Sequence, residues 1–250
     1  MSRFYIAVIV AFALCAASPT AYAFLVGNVA IGALIIVIGL GVVFPQLSFF
    51  GPFICSGNSA QRQVALTFDD GPDARSTPAL LDLLRAEKIE ATFFCIGKNV
   101  VTDGALAARI VREGHLLGNH TFNHSNATNF FTAARLHDEL TKTQAAILNA
   151  TGMAPNYFRP PMGLSNPRTF RVAHALGLAV IGWSARGLDT QCCDPEIIVA
   201  RILRRLQPGG ILLLHDGNIP AERLVVTVKL LLSKLRERDY EVVQLDKILT

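Results

Sequence analysis

Between Arg3 and Arg62 the chain has no lysine, arginine, aspartate or glutamate. That gap excludes an ordinary solvated surface for the N-terminal region. Cysteine is scarce: the five residues show no C-x-x-C spacing and no disulfide framework. Cys15 falls inside an apolar run, and the adjacent Cys192 and Cys193 would bridge only with strain, so all five are read as structural. No run of basic residues alternates with aromatics and the formal net charge is only +4, which argues against nucleic acid as a partner. Glycine-rich phosphate loops are not evident, which disfavours a metal phosphoesterase. No internal repeat or low-complexity tract is present.

The charge-free region holds two apolar runs, 4–17 and 24–44. The second has about the 20 residues needed to cross a hydrocarbon core ~30 Å thick and is predicted to be a transmembrane helix. The first is shorter and is followed by Pro19 and Ala21-Tyr22-Ala23, a small-x-small pattern that a signal peptidase accepts. A cleaved signal and a first membrane helix both remain open. Too few positive residues flank the runs to say which side of the cytoplasmic membrane the rest of the chain faces. The expected division is 1–45 for membrane segments, 46–61 for a linker marked by Gly51 and Pro52, and 62–250 for one catalytic domain.

Beyond the linker, short apolar or β-branched runs alternate with longer segments of helical period. The predicted strands are 64–68, 91–96, 115–119, 156–159, 178–183, 211–215 and 240–245. Thr77-Pro78, Asn166-Pro167 and Asp194-Pro195 read as helix starts, with a capping residue and then proline at the first helical position. Gly114, Gly152 and Gly177 read as helix stops. Strands and helices in alternation predict an α/β fold of parallel units, with the sheet closed or nearly closed into a barrel.

In such folds chemistry collects at the carboxyl ends of the strands. Strand one ends in Thr67-Phe68-Asp69-Asp70-Gly71-Pro72, and strand three runs into His120-Thr121-Phe122-Asn123-His124. Strand four ends in Arg159-Pro160-Pro161, strand five leads to Trp183 and Asp189, and strand six ends in His215-Asp216-Gly217. His120 and His124 are four apart, so on a helical turn both imidazoles would face one cation. Two adjacent carboxylates repel each other unless a cation is near; the bland alternative is a turn-capping aspartate pair. Two histidines and one aspartate form a ligand set for catalytic zinc, leaving the second aspartate for proton transfer. His215, at the exit of an apolar strand, is read as a general acid rather than a core histidine. Arg159, between an aromatic residue and two prolines, suits pairing with a carboxylate. His115, His137 and His174 lie away from the strand exits and are assigned no chemistry.

The ordered set T-F-D-D-G-P, H-T-F-N-H, R-P-P-x-G and L-L-H-D-G resembles carbohydrate esterase family four, the NodB-homology polysaccharide deacetylases. The resemblance implies a distorted (β/α) barrel and a hydrolase that removes N-acetyl groups from amino sugars of a polysaccharide, oligosaccharide or lipid-linked glycan. It implies that Asp70, His120 and His124 hold a divalent metal, usually zinc and sometimes cobalt or nickel. Asp69 would be the base held by Arg159, His215 the acid oriented by Asp189, and Leu213 a wall of the acetyl pocket. Met162, whose neighbourhood would supply a backbone N–H for the oxyanion, and Trp183 join Leu213 as expected substrate contacts. The sequence departs from the family pattern at Met162 and Thr190, where aromatic residues are common, and at Arg186, which replaces an acidic residue. These changes bear on which glycan is taken rather than on the reaction. A silent relative that binds metal or glycan without turnover is the rival reading.

Overall fold

The computed structural model describes residues 2–16, 23–58 and 61–249. Most of the expected signal cleavage pattern at Ala21-Tyr22-Ala23, with Pro19, lies outside the described residues. Two apolar helices come first, α1 (Arg3–Ala16) and α2 (Ala23–Val43). The second is long and apolar enough to cross a membrane by length and composition, and little of it is buried. Leu25, Val29, Ile35 and Ile36 are each more than 60% exposed. Nothing polar interrupts α2 except Asn28.

The remainder is built on one sheet of eight parallel strands: β1 (Gln63–Asp69), β2 (Thr92–Cys95), β3 (Leu116–Asn119), β4 (Tyr157–Phe158), β5 (Ala179–Val180), β6 (Ala185–Arg186), β7 (Gly210–His215) and β8 (Glu241–Val243). Their order is β5-β4-β3-β2-β1-β7-β6, with β8 paired to β1. Among the described residues no ladder joins β5 to β6, so the sheet is a curled half-barrel rather than a closed one. Seven of these strands coincide with predicted runs. The eighth, β6, is two residues long and too short to leave a periodic signal.

Each central strand is buried on both faces, as parallel strands under helices must be, and the period of two divides its residues between two layers. Val64, Leu66 and Phe68 of β1 join Phe93, Leu212 and Leu214 under the helices. Ala65, with Phe94 and Ile211, belongs to the concave interior. That alternation puts Thr67 and Asp69 of β1, and Leu213 and His215 of β7, on the concave side. In the β1–β7 ladder Thr67 is the partner of Leu213 and Asp69 of His215.

The helices between the strands are α3 (Thr77–Glu87), α4 (Gly97–Thr102), α5 (Gly104–Arg112), α6 (Ala133–Thr151), α7 (Pro167–Ala175), α8 (Pro195–Leu203), α9 (Ala221–Arg236) and α10 (Leu245–Leu249). Asn166 and Asp194 cap α7 and α8 through their side chains, with proline at the first helical positions. At α3 the expected cap is displaced by one residue. Ser76 holds the cap position without a side-chain cap bond, and Thr77 is already helical. The Thr77 hydroxyl instead donates to Asp216 at 2.6 Å.

Part of the 46–61 stretch packs onto the domain. Phe49, Phe50 and Phe53 are buried with Phe131, Phe158 and Phe170. Ile54 bridges Ile181 and Ser56 bridges Gly210. The start of α1 is tied to the same segment, since the Phe4 N–H donates to the Phe49 carbonyl at 3.0 Å and the Arg3 guanidinium to the Leu47 carbonyl at 2.8 Å.

Candidate active site

The carboxyl ends of β1, β3, β4 and β7 meet over a cavity of about 330 Å³ lined by Asp69, Asp70, His120, His124, Met162, Gly163, Trp183, Arg186, Leu188, Thr190, Gln191, Leu213 and His215. Every predicted metal and substrate residue lines it. Arg159 and Asp189 stand behind it, each bonded to a residue that does.

Asp70, His120 and His124 each offer one ligand atom, and the three atoms lie within 4.8 Å of one another. Asp70 Oδ1 is 3.5 Å from His120 Nε2 and 3.2 Å from His124 Nε2. That oxygen is buried and has no hydrogen-bond partner. His120 Nδ1 lies 2.7 Å from the Arg159 carbonyl. A carbonyl only accepts, so Nδ1 carries the proton and Nε2 turns its lone pair toward Asp70. An orphaned carboxylate oxygen facing two imidazole nitrogens fits a divalent cation of the zinc type. Burial alone would raise the Asp70 carboxyl, but the imidazoles beside it, His120 foremost and then His124 and His215, outweigh burial and hold it at about 2.

The two histidines do not sit on a helical turn, as their spacing had suggested. They lie in a loop after β3 in which Thr121 and His124 have left-handed backbones, φ 65° and 50°, and their ring centroids end 4.8 Å apart. Glu139 of α6 holds this loop. Its carboxylate accepts from the Phe122 N–H at 3.0 Å, the Asn123 N–H at 2.9 Å and the Asn123 side chain at 2.7 Å. Asn119 accepts from the Thr121 N–H at 2.9 Å and donates to the Leu140 carbonyl at 2.9 Å. The sequence reading missed Glu139. Its signal is an acidic residue on the apolar face of α6, between the buried Leu136 and Leu140.

Asp69 is held from behind. Arg159, wholly buried, donates through Nη1 to Asp69 Oδ1 at 2.7 Å and to Thr67 at 2.9 Å, and through Nη2 to the Gly182 carbonyl at 2.8 Å. Its guanidinium lies 4.1 Å from the centre of the Phe94 ring. Asp69 Oδ2 faces this candidate ligand group, 3.8 Å from His120 Nε2.

His215 stands beside Asp69, its partner in the β1–β7 ladder. Its Nδ1 lies 3.0 Å from Asp189 Oδ1, and its backbone N–H donates to Asp189 Oδ2 at 2.8 Å. The carboxylate fixes the proton on Nδ1 and turns Nε2 to the cavity. Burial of the ring acts to lower its pKa. The Asp189 hydrogen bond and charge, helped by Asp69 and Asp70, outweigh it and carry His215 to about 9.

The glycines of the two motifs have a shared reason. A Cβ on Gly71 would collide with the Asp216 carboxylate, and one on Gly217 with the backbone of Asp70, so the ends of β1 and β7 interlock only without side chains there. Asp216 itself is fully buried against Thr77, and burial raises its carboxyl to about 7. Met162 has φ 57° in a tight turn at the cavity wall, and Trp183 packs against Gly163 so closely that a Cβ there would strike the indole. His115 accepts from the Ala91 N–H at 3.1 Å, away from the cavity.

The sequence profile described as polysaccharide deacetylase matches residues 56–181. The chain belongs to the polysaccharide deacetylase family. Among relatives of this family, the peptidoglycan-N-acetylglucosamine deacetylase PgdA of Listeria monocytogenes is 34% identical over 75% of this chain and 39% of its own length. This chain thus spans about two fifths of that protein. The chitooligosaccharide deacetylase of a Bradyrhizobium species is 38% identical over 66% of this chain and 75% of its own length. The crystal structure of a pseudoenzyme of family CE4 from Bacillus anthracis superposes with a TM-score of 0.74 at 26% identity, covering 80% of this chain and 69% of that one. A family fold is therefore shared by active and silent members, and any argument for activity rests on the side chains.

Proposed function

We propose that this chain hydrolyses the N-acetyl group of N-acetylglucosamine residues in a glycan of the peptidoglycan or chitooligosaccharide class. The observation that carries the reading is the gathering of Asp70, His120 and His124 with Asp69 and His215 in a single cavity. We assign the three as ligands of a divalent cation, zinc first and cobalt or nickel as alternatives. A cation there supplies Lewis acidity to the amide carbonyl and lowers the pKa of a water at the site.

The protein's own groups divide the proton work. Asp69, held and oriented by Arg159, takes a proton from the attacking water. His215, protonated and oriented by Asp189, delivers one to the departing sugar nitrogen from Nε2. Leu213 and Trp183 exclude water from the acetyl methyl, and the backbone beside Met162 faces the developing oxyanion. All these residues being present disfavours a silent relative.

We also place α2 across the cytoplasmic membrane. At about 1.5 Å per residue α1 spans only about 21 Å, short of a hydrocarbon core, and its start lies with Leu47 and Phe49 at the domain end of α2, so α2 is the spanning helix and the domain, which we begin near Phe49, lies on the same side as Arg3. Acetate release from an N-acetylglucosamine tetramer tests the chemistry. The wild-type chain should release it, and Asp69→Asn and His215→Ala should each lower kcat by about 10²–10⁴-fold. Turnover unchanged in both variants contradicts the assignment.

A further inference from the structure

Beside the catalytic cavity lies a second one of about 500 Å³ that the mechanism above does not use. The two share a wall of Met162, Gly163, Trp183, Arg186 and Leu188. It is also lined by Arg201, Arg204 and Arg205, from the last turn of α8 and the residues after it, and by Val42 and Phe44, at and just past the end of α2. No acidic residue lines it. Among the described residues none of these four arginines has a carboxylate within ion-pair distance; the hydrogen bond from Arg201 goes to the Gly187 carbonyl at 3.3 Å.

Four guanidinium groups around one cavity repel each other, and an anion there relieves the repulsion. Cations near the end of α8 also suit the helix dipole. That explanation does not reach Arg186, which comes from β6 and lies 5.6 Å from the centre of the Trp183 ring, in the wall common to both cavities. Guanidinium groups bind phosphate oxygens through paired N–H donors. The position selects the source of the anion. If α2 spans the bilayer, Val42 and Phe44 mark the interface, and the arginines stand at the depth of phosphate headgroups.

We propose that the arginine-lined cavity takes the phosphate of a lipid-carried amino-sugar phosphate, whose acetylated sugar then reaches into the neighbouring catalytic cavity. This rests on the deacetylase reading and on the membrane placement of α2. The test uses the full chain in detergent micelles and three probes: an N-acetylglucosaminyl phosphate with an isoprenyl tail, the same glycosyl phosphate without the tail, and the neutral N-acetylglucosamine tetramer. The expected kcat/KM for the tailed phosphate exceeds that of the tetramer by at least about ten-fold, and Arg204→Gln with Arg205→Gln removes most of that ratio by raising KM. Added salt should raise KM for the tailed phosphate in the wild-type chain and leave that for the tetramer, a reading that needs no variant. Equal kcat/KM for tailed phosphate and tetramer overturns the subsite, and equal values for the tailed and untailed phosphates overturn its lipid source. Acetate release from none of the three instead removes the deacetylase reading on which the proposal stands.

Discussion

The guanidinium of Arg159 has no access to water, and its nearest carboxylate is Asp69 at 2.7 Å. Removing one partner of a buried pair strands the other, so Arg159→Met should lower the unfolding free energy by about 3–5 kcal/mol, measured by urea denaturation. His215 makes a prediction in pH. Its pKa in the folded chain, about 9, lies above the ordinary 6.5, so its protonation stabilises the fold fully below 6.5, and that contribution is lost as pH rises through about 9. As a proton donor it also sets an alkaline limit: kcat should fall as pH passes about 9. Asp189→Asn removes the main force that raises the value against burial, and a kcat profile should show the limb moved toward neutrality. A limb that stays in place separates His215 from proton donation.

At the scale of elements, the loop from His120 to His124 has no regular structure and depends on α6 for its shape. Glu139→Gln replaces an acceptor of three N–H groups with a weaker one, and zinc affinity should fall about 10–100-fold in a calorimetric titration while the fold remains. Gly71→Ala should destabilise the chain, because the end of β1 cannot move away from Asp216 without breaking its ladder. These features also mark what the sequence discloses. Runs such as 64–68 and 211–215 show their burial in composition, so the parallel strands and the residues at their exits were readable. The spacing of His120 and His124 matches a helical turn equally well, and only the left-handed backbones at Thr121 and His124 decide for a loop. Glu139 was hidden because its partners are backbone N–H groups 16 and 17 residues away. The opening of the barrel between β5 and β6 was unreadable for a similar reason: it depends on a long-range pairing that is not made.

On the scale of the whole molecule, the charge-free N-terminal region serves two purposes. Its helices carry exposed apolar surface suited to a bilayer, whereas Phe49, Phe50 and Phe53 just beyond them complete the core beside Phe158 and Phe170. The polar and glycine-proline composition of 46–61 suggested a linker because three phenylalanines, broken by Gly51 and Pro52, are too few to set a period. A chain beginning at residue 46 should stay dispersed without detergent and unfold cooperatively. One beginning at residue 62 should melt at a distinctly lower temperature, and Phe53→Ala alone should cost about 3–5 kcal/mol. The central claim is that Asp70, His120 and His124 grip one divalent ion on which deacetylation depends. The most direct measurement follows acetate release from the N-acetylglucosamine tetramer as zinc is titrated into the chelator-stripped chain. The account predicts that activity is absent without zinc, returns and saturates at one equivalent per chain, and fails to return in His124→Ala. Full activity in the stripped chain, or an unchanged titration in that variant, contradicts it.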